Sequence, residues 1–403
     1  MAAVMEKTGD QRMCNPVSDA ELDRRWRAAR AYMRSTGIDA LVMQNSNDFL
    51  GGYVRWFTGW PATHAYPRAV LFPLEGLMTT VGQGNFGFEA TFDGKGPQPN
   101  YGIGRRLGTP SFVSAHYTGD YDAELIAHEI TKAGYKTVAY VSPASMYYTF
   151  GMKVKELAKG VTFTDATDAI DRIKAIKSAE EIDFIRRVAA MQDEVFIKLA
   201  THIRPGMRDF EVAAYAQYIG QLLGSEQGIF LAGSAAPGKP VEQQERWQMG
   251  REIRKGDAYR QLVENNGPSG YYCELGRIFV LGKASQEQKD AVAKAVEAQH
   301  ETWKRVKPGA DPRELHAAHN EYMRRNGLAE DKRLYAHGQG YDLVERPLIR
   351  QDETMKIEQN MLLVCHPGFS TATVAGGICD NVLVTASGVE FLHKTPQAII
   401  EID

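Results

Sequence analysis

The sequence predicts a two-domain chain of α/β (α+β) class, on three observations. At 403 residues the chain is long enough for two separate cores. Hydrophobic residues make up 43% and charged residues 24%, fractions that suit globular domains. Strand-like runs alternate with helical segments in the first part, and long capped helices with strands between them follow in the second. The reading gives a tail over residues 1–17, a first domain over 18–172 and a second over 173–403.

A helix starts at Ser18, whose partner Glu21 completes a capping box. Leu22, Trp26, Ala29 and Met33 form one apolar stripe, and Gly37 closes the helix. Strands are expected over 39–43, 68–72, 77–81 and 137–141, with a helix over 123–133, which together predict a sheet covered by helices. In the second half Ser178 and Glu181 form another capping box, opening a helix that runs to about His202. Pro205-Gly206 breaks the pattern, and a second helix ends at Gly224. A third helix follows Ser285, capped by Gln288, and a fourth runs from near Asp311 to Gly327. Strands are expected over 258–263, 270–280, 361–366 and 376–384.

A net charge of −3 gives no electrostatic reason to seek a nucleic-acid partner. No run approaches the 18 or so apolar residues of a membrane span, and residues 1–15 lack the apolar core of a secretory signal. The four cysteines, Cys14, Cys273, Cys365 and Cys379, make no spaced framework, which predicts reduced thiols in a cytoplasmic protein.

Six stretches in order resemble one family. They are "IKSAEEIDFIRR", "KGDAYRQLVENNGPSGYYCELGR", "VKPGADPRELHAAHNEYMRRNGL", "AHGQGYDLVERP", "MKIEQNMLLVCHPGF" and "GGICDNVLVTASGVEFL". They are similar to markers of the creatinase, prolidase and methionine aminopeptidase superfamily (peptidase M24). The resemblance implies a creatinase-type N-terminal α/β domain followed by a pita-bread catalytic domain, two α/β halves around a curved sheet. Metal-dependent members line that sheet with two aspartates of a hairpin, a histidine and two glutamates of the last strands.

Carried over one at a time, those positions change character here. The first aspartate falls on Val263, although a bulge would present Leu262 or Glu264 instead. The second is Glu274, the histidine is His337, the first glutamate is His366 and the final one Asp380. The resemblance thus implies one divalent metal per subunit, held by Glu274, His337, His366 and Asp380. Two imidazoles and two carboxylates suit Zn²⁺, Mn²⁺ or Fe²⁺. The competing reading is a metal-free pocket, as in creatinase. Cys273, Cys365 and Cys379 each precede a proposed ligand, so strand alternation predicts that their thiols face away from the metal.

The resemblance implies hydrolysis through a metal-bound hydroxide, but departures argue against ordinary peptidase work. The family's second histidine is Val344 here, and the upstream histidine is missing, its segment offering only Lys239. Creatinase's hairpin glutamate falls at Gly276, which argues against creatine hydrolysis. The expected function is hydrolysis of an amide or cyclic amidine C–N bond in a small metabolite. A metal-dependent β-eliminating lyase, a metal-free hydrolase and a non-catalytic binding scaffold are the alternatives. Candidate acids and bases are Glu264, Glu345, Tyr271 and Lys239, in that order, and Arg346 or Arg350 is a candidate for binding an anionic substrate. Arg277 is expected to support the hairpin. The loop "GGYVRWFTGWPATHAYPR" gathers Arg55, Trp56, Trp60, His64, Tyr66 and Arg68. In creatinase-like homodimers this loop reaches the partner's pocket, which makes the first five candidates for an aromatic and cationic substrate wall. Packing of the domain core is the plainer role for the same residues.

Overall fold

The computed structural model describes residues 15–45, 51–61, 66–96 and 100–403. Residues 1–14 of the expected tail, with Cys14, and the candidate His64 lie outside the described residues. The chain divides into two compact units, Pro16–Lys174 and a second whose body is Ala175–Asp403.

In the first unit, helix α1 (Asp19–Thr36) starts where Ser18 Oγ accepts from the Glu21 N–H, and ends on Gly37 at φ 70°. The stripe Leu22, Trp26, Ala29 and Met33 is buried. Strands β1 (Ala40–Asn45), β2 (Arg68–Pro73), β3 (Met78–Gln83), β4 (Phe88–Thr91), β5 (Ile103–Thr109), β6 (Thr137–Tyr140) and β7 (Thr162–Asp165) form one sheet in the order β4-β5-β3-β2-β1-β6-β7. Three further helices belong to this unit, α2 (Tyr53–Thr58), α3 (Tyr121–Ala133) and α4 (Tyr148–Leu157), and α5 (Thr167–Ala175) ends at its boundary. Ile126 and Ile130 of α3 and Phe150 and Val154 of α4 pack on Val42, Leu71 and Val81 of the sheet, giving one core. Strands β4, β5 and β7 were not expected, because their polar and glycine-containing sequences carry little period-2 signal.

The second unit opens with α6 (Ala179–His202), whose start is a capping box. Ser178 Oγ accepts from Glu181 N–H, and Glu181 accepts from Ser178 N–H. Next come α7 (Asp209–Leu222), β8 (Gly228–Ala235), β9 (Ala258–Asn266), β10 (Tyr272–Leu281), α8 (Gln286–Trp303) and α9 (Pro312–Arg325). The rest is short strands: β11 (Ala336–Gly338), β12 (Glu345–Leu348), β13 (Leu362–Cys365), β14 (Gly368–Ser370), β15 (Ala375–Gly377), β16 (Asp380–Val384), β17 (Val389–Phe391) and β18 (Ile400–Ile402). They build two sheets, β18-β10-β9-β8 and β12-β11-β13-β16-β17, and the hairpin β14-β15. Phe196 and Leu199 of α6 and Ile219 of α7 cover the first sheet around Val263, Leu275 and Phe279. Trp303 and Leu315 cover the second around Leu363, Cys365, Val382 and Val384. The site lies where these sheets meet, through a bridge between Gly276 of β10 and Cys379. The strand expected over 376–384 is split there into β15 and β16.

Candidate metal centre

The register of the central hairpin decides which carboxylates reach the site. Glu274 of β10 pairs directly with Glu264 of β9, and Leu275 with Val263. Side chains alternate along a strand, so Val263 enters the apolar core under α6 and α7 while Glu264 shares the face of Glu274. The position expected to be vacant is therefore filled one residue later by a carboxyl group. The two acids hydrogen-bond to each other, and Gln339 Nε2 donates to Glu264 Oε1 at 3.0 Å.

His337 and His366 join Glu274 from the second sheet, and one ligand atom from each of the three lies within 4.8 Å of the others. His337 Nε2 stands 4.0 Å from Glu274 Oε2, and the imidazole centroids are 5.3 Å apart. His337 Nδ1 lies 2.9 Å from the Gly338 carbonyl. That carbonyl only accepts, so Nδ1 carries the proton and Nε2 offers its lone pair to the site. Two glycines of the His-Gly-x-Gly segment are dictated by close approach. A Cβ on Gly338 would lie 2.6 Å from the Arg346 carbonyl oxygen, and one on Gly340 2.5 Å from the Glu345 carboxylate.

Burial sets the protonation states. It pushes His337 down to about 4 and His366 to about 3, the latter helped by His337 beside it, so both imidazoles are neutral. It pushes Glu274 up to about 7 and Glu264 well above the carboxylate range, the Glu274 charge adding to the rise at Glu264. Two neutral nitrogens and an acidic pair that shares a proton are donors of the type a divalent cation binds on displacing that proton.

Asp380, the fourth expected ligand, is not part of this group. Its Oδ1 accepts from Arg277 at 2.6 Å, and its Oδ2 from Gln299 and Gln397 at 3.3 and 2.9 Å. It sits opposite Cys365 on the face packed by α8, while its neighbours Cys379 and Asn381 take the site face. Asn381 Oδ1 accepts from the Glu274 N–H at 2.6 Å, and its Nδ2 donates to Gln339 Oε1 at 2.7 Å. Cys379 Sγ lies 3.0 Å from Glu274 Oε1, so this thiol turns inward, against the expectation for all three cysteines. Cys273 and Cys365 are buried elsewhere, the first with its thiol 3.7 Å from the Ile185 carbonyl and the second among the core residues under α8.

Two of the four candidate acids and bases are committed to structure and a third stands apart from the ligand group. Glu345 pairs with Lys177 at 2.8 Å, both buried, and accepts the Tyr341 N–H at 2.9 Å. Tyr271 donates to Glu181 at 2.8 Å and stacks on Tyr341. Lys239 stands on an exposed turn after β8. Glu264 alone of the four lies against the metal-ligand group. Arg346 is held by Glu353 through contacts of 2.5 and 3.1 Å, and Arg350 by Asp352. Arg277 spans the Gly276, Cys379, Thr395 and Pro396 carbonyls besides Asp380, a staple across the two sheets. In the first unit Arg55 and Trp56 are buried within α2, Trp60 is buried and Tyr66 is exposed with its edge on Phe112.

The sequence reading missed two features. Arg260 lies four residues before Glu264 on β9, hence on the same face, and its guanidinium fills the space a side chain on Gly377 would take. That alternation from Glu264 was the available signal. A cavity of about 450 Å³ reaches His366 and is lined by Arg333, Lys332, Glu330, Phe369 and His319 among others.

The profile of metallopeptidase family M24 matches residues 183–386. The Xaa-Pro dipeptidase of Pyrococcus furiosus is 26% identical over 261 residues, covering 64% of this chain and 74% of the relative. An uncharacterized hydrolase/peptidase of Sinorhizobium fredii is 23% identical over 405 residues, 95% of this chain and 98% of its own. Among solved structures, the X-Pro aminopeptidase of Thermotoga maritima superposes with a TM-score of 0.77 at 17% identity, covering 94% of this chain and 99% of that one. The prolidase of Pyrococcus horikoshii gives 0.70 at 21% identity over 93% and 99%. Profile and fold agree with a mixed α/β first unit followed by a pita-bread unit, and the chain belongs to metallopeptidase family M24.

Proposed function

We propose that this protein is a hydrolase that uses one divalent cation, held by Glu274, His337 and His366, to cleave an amide or cyclic amidine C–N bond of a small metabolite. The observation that carries the reading is the buried group of those three ligands with a second carboxyl, Glu264, hydrogen-bonded to it. A cation there would supply Lewis acidity and lower the pKa of a water in its shell. Glu264, hydrogen-bonded beside those ligands, would be the residue that exchanges a proton with the reacting groups once a bound cation has displaced the proton the two carboxyls share. Gln339 orients Glu264, and Asn381 orients Gln339.

The cavity of about 450 Å³ beside His366 has room for a metabolite, and its wall carries Arg333 and Lys332 together with Glu330 and Asp331. Val344 and the missing upstream histidine remove groups with which the family's peptidases hold a peptide carbonyl. Peptide hydrolysis is the second reading, favoured by the names of the relatives, Xaa-Pro dipeptidase and X-Pro aminopeptidase. The proposal includes a homodimer and, from the three free buried thiols, a reducing compartment such as the cytoplasm. No helix among the described residues is long and apolar enough to cross a membrane.

The test is metal analysis of untagged protein together with a screen of small amides, cyclic amidines and Xaa-Pro dipeptides. About one cation per chain and chelator-sensitive cleavage of a non-peptide C–N bond is the expected result. Less than about 0.2 cation per chain with activity surviving chelator contradicts the metal. Turnover confined to the dipeptides selects the second reading.

A further inference from the structure

Arg68 at the start of β2 and Arg106 in β5 both approach the ring of Trp60. The guanidinium carbons lie 3.4 and 4.6 Å from the indole centroid. Burial and the neighbouring Arg106 charge hold Arg68 down at about 9. Neither cation has a carboxylate within ion-pair distance among the described residues. Arg106 Nη2 donates to Asn100 Oδ1 at 2.6 Å, while its Nε is buried without a partner. The adjacent Arg105, on the other face of β5, shows the ordinary arrangement, paired with both Glu89 and Glu129. A cavity of about 190 Å³ opens beside the two unpaired cations, lined by Trp60, Tyr66, Gln83 and Phe88 with them.

Two like charges drawn together, partly desolvated and left uncompensated are costly. An indole face offsets only part of that cost. Two rigid guanidinium forks beside a small cavity, with one Arg106 donor given to Asn100 and the rest not given to any carboxylate among the described residues, suit a trigonal or tetrahedral oxyanion. We infer that the first unit carries a binding site for a small oxyanion, a carboxylate or a phosphate group, between Arg68 and Arg106 at Trp60. The site is formed by this unit alone and stands apart from the metal-centre reading.

Metal-free full-length protein in Tris chloride, titrated separately with inorganic phosphate, sulfate and acetate, tests it by heat and by indole fluorescence. The expected result is saturable binding of at least one of the three at one per chain. Arg68→Gln and Arg106→Gln should each weaken it about tenfold or more, and Trp60→Phe should keep the heat while losing the fluorescence change. Phosphate preferred over acetate identifies a phosphoryl ligand, and the reverse a carboxylate. Should a glutamine variant fail to fold, Arg68→Lys and Arg106→Lys, which lose the fork but keep the charge, carry the same expectation. No saturable heat with any of the three up to about 20 mM, or an unchanged affinity in either arginine variant, overturns the site.

Discussion

Glu274 and Asp380 are equally deep in the second unit, 4% and 1% exposed, yet their surroundings differ in kind. Asp380 is met by the Arg277 guanidinium and two amide donors, so its charge is compensated within the fold. Glu274 has no guanidinium in contact among the described residues, and Arg260 and Arg333 lower it only from a distance, less than burial raises it. Its neighbours are a second carboxyl, a thiol and two neutral imidazoles, and burial raises it to about 7. A buried acid with its own arginine holds strands together. A buried acid left among lone-pair donors is stable with a proton or with an external cation.

Breaking the compensated side should have the largest effect. Arg277→Met strips Asp380 of its counterion and four carbonyls of their donor, and should cost about 3–5 kcal/mol in urea unfolding. Lys177→Met removes the ammonium that pairs with buried Glu345 under the His-Gly-x-Gly segment and should cost about 3 kcal/mol by the same assay. On the uncompensated side the sign is opposite. Glu274→Gln in metal-free protein should leave stability within about 1 kcal/mol of the parent or above it, because no partner loses a charge.

The pH dependence sharpens the contrast. Glu274 is raised from 4.5 to about 7 and Glu264 is raised too, so the pair's contribution is full below about 4.5 and is lost as pH rises through 7. The imidazoles are lowered from 6.5, so theirs is full above 6.5 and is lost as pH falls toward 4 and 3. Stability of the metal-free protein should therefore peak between about 4.5 and 6.5 in urea melts across pH. Glu264→Gln should flatten the alkaline limb. The smallest change is expected at Cys379→Ala, about 1 kcal/mol, because a thiol is a weak donor.

Much of this was legible in the sequence. The capping serines Ser18, Ser178 and Ser285, the stripe on α1 and the two-domain order follow from local patterns and ordered markers, and so does the clustering of Glu274, His337 and His366. Register was not legible. Val263 against Glu264, and Asp380 against Cys379 and Asn381, each differ by one residue, and one residue in a strand reverses the face. Glu345 and Tyr271 read as free acid-base groups because their partners, Lys177 and Glu181, lie 168 and 90 residues away in the chain. The Arg68, Arg106 and Trp60 cluster was out of reach for the same reason, since its second cation comes from the unpredicted strand β5.

On the function proposed, a cation would bind Glu274, His337 and His366, and Asp380 would stay with Arg277. Calorimetric titration of Zn²⁺ and Mn²⁺ into metal-free protein, comparing the parent with Glu274→Gln, His337→Ala, His366→Ala and Asp380→Asn, tests it most directly. One tight site per chain is expected, with affinity rising with pH up to about 7 as the shared proton is displaced. That site should be lost in the first three variants and kept within a few-fold in folded Asp380→Asn. Loss of the site in Asp380→Asn with its retention in Glu274→Gln would place the cation at Asp380 instead.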